Sequence, residues 1–114
     1  MTSSTYSRSV SSPEVGVREF SESKKHKSVI KRIALAFERD GFNVKADHIS
    51  EFSTPETCIV MRPDIKAKKN DKEIIVEVET RNSIGSRRDK MQRREFGEWA
   101  KEEPNRDFRR ETTI

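Results

Sequence analysis

A strand built of Ile and Val on both faces has to lie inside a sheet, and residues 72–80, KEIIVEVET, spell such a strand except for two glutamates on one face. Alternation places Ile74, Val76 and Val78 on one face and Ile75, Glu77 and Glu79 on the other. The rest of the run is Ile and Val, so the strand belongs at the centre of a sheet. Glu77 and Glu79 then leave one face about 6.5–7 Å apart. Two like charges on a central strand repel and lose solvation unless a cation or hydrogen-bond donors satisfy them. A divalent cation is the simplest partner. Taken alone, an E-x-E reads more simply as the wet face of an amphipathic strand.

The neighbouring segments supply the rest of a sheet. Val29, Ile30, Ile33, Ala34 and Phe37 recur at helical spacing. They predict a helix over 23–40, capped by Ser21 or Ser23 and stopped by Gly41. Lys24, Lys27, Lys31 and Arg32 point away from its apolar stripe, whereas His26 lies along it. Phe42, Val44 and Ala46 alternate with Asn43, Lys45 and Asp47 as a half-buried strand. Residues 48–57 read as a loop, or a loop with a hairpin turn. Residues 58–68, CIVMRPDIKAK, read as a strand interrupted by Pro63, and Asn70-Asp71 as a tight turn. A second helix is expected over 86–102, ending before Pro104, and a short final strand over 106–113. The fold class is therefore α/β, in the order αβββαβ, with a central mixed sheet flanked by helices. Residues 1–21 are Ser-rich without a sustained period and read as a flexible, disordered N-terminal arm, leaving 22–114 as the one domain.

Lys and Arg number 24 against 20 Asp and Glu, a net charge of +4, which favours a polyanionic partner. One cysteine, Cys58, excludes an internal disulfide, and with two histidines a Cys/His zinc site is not expected. No apolar run approaches the roughly 20 residues of a membrane span, and the N-terminus lacks the apolar core of a signal peptide. The expectation is a cytoplasmic protein without a membrane partner.

Asp64 gives the glutamate pair its context. It follows Pro63 at the break in the second strand, 13 positions before Glu77 across a turn, so a hairpin brings the two side by side. Three carboxylates on adjacent strands can hold hard cations, which turn water into a nucleophile and stabilise a phosphoryl transition state. Pro63-Asp64, a short turn, then Glu77-Val78-Glu79, after a helix and a strand, resembles the PD-(D/E)XK nuclease superfamily over about residues 22–113. The nearest likeness is to small archaeal and viral proteins of the Holliday-junction-resolvase and restriction-endonuclease-like type.

That resemblance implies a restriction-endonuclease-like core and a Mg²⁺ (or Mn²⁺) cofactor. Asp64 and Glu77 would be metal ligands, often joined by the carbonyl of Val78. Glu79 stands where the family usually has lysine, so it would act as general base or extra ligand. Lys66, of the same strand parity as Asp64, or Lys90 on the second helix would replace the missing ammonium. The family's first helix often contributes an acidic residue, a role that Glu22 would fill, with His26 one turn later. Arg81, Arg87, Arg88, Lys90 and Arg94 are the candidates for phosphate contact, and Lys101 continues their stripe. Trp99 and Phe96 lie opposite it and read as core. The implied activity is metal-dependent cleavage of DNA, branched or duplex, with a homodimer common among such relatives. The alternatives are a non-catalytic DNA-binding protein or a protein-interaction module on the same fold.

Overall fold

A computed structural model describes residues 13–58 and 60–113, with side chains from Lys24 onward. Its elements are α1 (Pro13–Arg39), β1 (Asn43–Ala46), β2 (Ile65–Lys69), β3 (Lys72–Glu79), α2 (Arg87–Glu102) and β4 (Arg106–Thr112). The chain is α/β, with one four-stranded sheet in the order β1-β2-β3-β4. β1–β2 and β2–β3 are antiparallel and β3–β4 is parallel, so the sheet is mixed.

β3 is paired on both edges, and every residue from Ile74 to Glu79 is buried. Its alternation divides the core in two. Ile74, Val76 and Val78 pack with Ile65 and Ala67 of β2, Val44 and Ala46 of β1, and Ile30 and Ala34 of α1. On the opposite face Ile75 packs with Phe96 and Trp99 of α2 and with Cys58. The sheet thus lies between the two helices, and the glutamates share the α2 face. Full burial of each large apolar side chain stabilises by about 1.5–3 kcal/mol.

Two boundaries differ from those the sequence predicts. α1 begins at Pro13 rather than near Ser23, so residues 13–21, read as part of the arm, are helical backbone, while residues 1–12 lie outside the described residues. The periodic apolar stripe marks only the part of a helix that packs on a sheet, and this one extends beyond it. β2 begins at Ile65, not at Cys58. Cys58 and Met61 exchange backbone hydrogen bonds in an isolated bridge, which turns the chain. Buried Pro63 has no amide to continue the ladder. Asp64 therefore sits just ahead of the strand, its carbonyl accepting from Asp47 N at 2.8 Å.

The other ends follow local chemistry. Gly41, at φ 91°, closes α1 in the left-handed region. Ser86 caps α2, its side chain accepting from Asp89 N.

Candidate functional site

The Asp64 carbonyl is taken by Asp47 N, but its amide has no strand partner and is left for a side chain. Asp64 N donates to Glu77 Oε2 at 2.8 Å, and Val78 N donates to Asp64 Oδ2 at 2.8 Å. Each carboxylate is thus fixed by the other's stretch of main chain. Glu77 is 3% exposed. Burial, and next the charge of Asp64, push its carboxyl up to about 9; the Asp64 amide and the Arg88 guanidinium pull the other way. Glu77 therefore holds its proton at neutral pH unless a cation displaces it.

Glu79 is equally buried and is held from the loop after β3, where Ser83 Oγ donates to its Oε1 at 2.8 Å. Ser83 is itself placed by Thr80, whose amide donates to Ser83 Oγ at 2.9 Å. His26 reaches the same place from α1. Its Nε2 is 2.7 Å from the Val78 carbonyl and 3.4 Å from Asp64 Oδ2. A carbonyl only accepts, so Nε2 carries a proton. The bond to Asp64 holds the imidazole above its usual pKa of 6.5, although burial opposes it.

Asp64, Glu77, Glu79, His26, Ser83 and Arg88 line one cavity of about 360 Å³, together with Asp89 and Gln92 of α2. The three expected carboxylates are brought together, and His26 joins them. The Val78 carbonyl accepts from His26 and lines the same cavity. Lys66 shares the face of Ile75 but not the cavity; its Nζ lies 3.9 Å from Glu56. Lys90 is exposed and lines no part of the cavity. The side chain of Glu22 lies outside the described residues. Among the phosphate candidates Arg88 enters the cavity, while Arg81, Arg87, Lys90 and Arg94 are exposed and form no ion pair among the described residues.

Two further residues build the site. Asp89 is 1% exposed and accepts from Gly85 N at 2.7 Å and, on both oxygens, from Arg110 of β4 at 3.0 Å. Burial pushes its carboxyl up, but the Gly85 amide and Arg110 outweigh it and the net shift is downward. Asp89 thereby ties the loop carrying Ser83 to the sheet. Its sequence signal was the S-x-x-D spacing of Ser86 and Asp89 at a helix start. Ser83 had no such signal.

Among the described residues no group of three or more His, Cys, Asp or Glu side chains is already arranged to hold a metal ion. Asp64 and Glu77 do fit one in donor chemistry. Both are hard oxygen donors, and each has one oxygen free of hydrogen bonds among the described residues. Burial and the charge of Asp64 oppose ionisation of Glu77, and a cation would favour it. The chain matches no protein-family model, no curated protein and no solved structure.

Proposed function

We propose that the chain is a metal-dependent DNA endonuclease on a restriction-endonuclease-like core. The observation that carries this reading is half-buried Asp64 set against buried Glu77, beside Glu79 in one cavity, with the Glu77 carboxyl raised to about 9. Such a pair is costly to a stable fold and useful to a cation site. Asp64 and Glu77 would hold Mg²⁺ or Mn²⁺. When bound, the ion lowers the pKa of water and neutralises charge on the phosphoryl oxygens.

The chain's own residues do the remaining work. Glu79, oriented by Ser83, accepts the proton of the attacking water. The water oxygen forms a bond to phosphorus as the bond to the 3′-oxygen breaks, and that oxygen takes a proton from solvent. Arg88 faces the developing negative charge from the first turn of α2. His26 holds the Val78 carbonyl and Asp64, which fixes the carboxylate pair against the end of β3. DNA, branched or duplex, is the partner on this reading.

A non-catalytic DNA-binding role is favoured by one observation: the cavity offers Glu79 where an E-x-K site has an ammonium, and Lys66 does not enter it. Incubating labelled branched and linear DNAs with the protein in EDTA, Mg²⁺ and Mn²⁺ separates the two. The nuclease reading expects cut products with either cation and none in EDTA. The binding reading expects retarded, intact DNA in all three.

A further inference from the structure

The β1–β2 half of the sheet carries a second concentration of charge that the carboxylate centre does not use. The strand register sets Lys45 directly opposite Lys66 and Asn43 directly opposite Lys68. Cross-strand partners share a face, so three ammonium groups and an amide project from one side. That side is the α2 face, because Lys66 also stands opposite Ile75. α2 packs over Ile75 and β4 and contributes nothing here. Asn43, Lys45, Lys66, Lys68 and Glu56 line a separate groove of about 210 Å³.

Like charges directly opposite each other destabilise a sheet. Between Lys45 and Lys66 there is one carboxylate, from an exposed residue of the β1–β2 loop. Glu56 Oε2 accepts from Lys45 at 2.7 Å, and its Oε1 lies 3.9 Å from Lys66. It occupies the position an anionic oxygen would take. Lys68 extends the row, 3.8 Å from Glu73. Lys66 lies two residues past Asp64, so the row begins about 7 Å along the strand from the carboxylate pair.

We propose that this groove is a second contact surface for the phosphate backbone of duplex DNA, with Glu56 as a loop-borne stand-in that a phosphate displaces. The inference rests on the nuclease reading for its ligand. A duplex crossing the carboxylate cavity has phosphates on both flanks. Arg88 and the exposed arginines of α2 serve one flank, and Lys45, Lys66 and Lys68 serve the other.

The test is a titration of fluorescent duplex DNA in EDTA at several salt concentrations. It compares the wild type with the double variant Lys45→Gln/Lys68→Gln and with Glu56→Gln, with Mg²⁺-dependent cleavage measured on the same proteins. Two lost phosphate contacts flatten the log–log salt slope by about 1.8. The wild type's advantage over the double variant then shrinks about twelvefold between roughly 50 and 200 mM salt. Glu56→Gln removes no cation and is expected to bind more tightly than wild type, which separates the charge effect from misfolding. A double variant with wild-type affinity and slope overturns the inference, as does a wild type that binds no duplex. If the lysine effect is present and cleavage is absent, the surface stands as a DNA contact and the nuclease reading falls.

Discussion

Glu77 keeps a proton that an exposed glutamate loses, and this makes the metal-free protein sensitive to pH. Its folded pKa is about 9 against an ordinary 4.5, so the stability it contributes is complete below about 4.5 and is lost as pH rises toward 9. His26 acts in the same direction. Its pKa is raised, so its contribution is present below about 6.5 and fades above its folded value. Thermal unfolding in EDTA should therefore show a falling Tm between pH 6 and pH 9. Glu77→Gln keeps the volume without the charge and should remove most of that slope, stabilising the fold at pH 8 by about 1–3 kcal/mol. Unchanged pH dependence in the variant would show that Glu77 is not the group responsible. Mg²⁺ should raise Tm more at pH 8 than at pH 6, because it competes with the proton. The carboxylates were legible at this scale, since period-two alternation fixes which residues share a face. The grip of Ser83 on Glu79 was not, because a hydroxyl four residues away in a loop has no periodic signature.

Asp89 ties the start of α2 and the loop before it to β4 through Arg110. Asp89 is paired with Arg110 and also receives Gly85 N, while Arg110 Nε is buried with no hydrogen-bond partner among the described residues. Asp89→Ala should cost about 1–3 kcal/mol, as it removes the acceptor of both Gly85 N and the half-buried Arg110 guanidinium. Arg110→Met in the same chain should recover much of the loss, and urea denaturation of the two single variants and the double measures it. A double variant no better than Asp89→Ala would mean that the tie to Gly85, not the ion pair, carries the stability. Element boundaries were readable where one rule acts alone. β3 follows from its Ile and Val alternation and α2 from its apolar side and the proline beyond it. β2 was overextended because residues 58–62 have strand-like composition, while the Cys58–Met61 bridge and Pro63 turn them aside. Lys66 shows the same limit: parity gave its face, but its reach toward Glu56 depended on where a distant loop lies.

For the whole molecule, the asymmetry of charge around the sheet decides what can approach the cavity. Arg81, Arg87, Lys90 and Arg94 are exposed without ion pairs among the described residues. If these four meet duplex phosphates, they contribute roughly −3.6 to the log–log salt slope of binding. Arg87→Ala or Arg94→Ala should each flatten the slope by about 1 and weaken all sequences alike. Equal slopes in wild type and both variants would remove the stripe from the interface. The composition pointed to a polyanion but not to a face. The face depends on strand alternation and register, which put Glu77, Glu79, Lys45, Lys66 and Lys68 on the side of the sheet where α2 packs.

The central claim is that Asp64 and Glu77 together form a cation-dependent centre for phosphodiester hydrolysis. It is tested most directly by single-turnover cleavage of a labelled branched duplex in Mg²⁺, comparing wild type, Asp64→Asn and Glu77→Gln, each shown to be folded by its melting curve. The account predicts cleavage by the wild type that EDTA abolishes, and rates at least about a hundredfold lower in both variants. Cleavage retained by both variants, or a folded wild type that cuts no DNA in either Mg²⁺ or Mn²⁺, would contradict it.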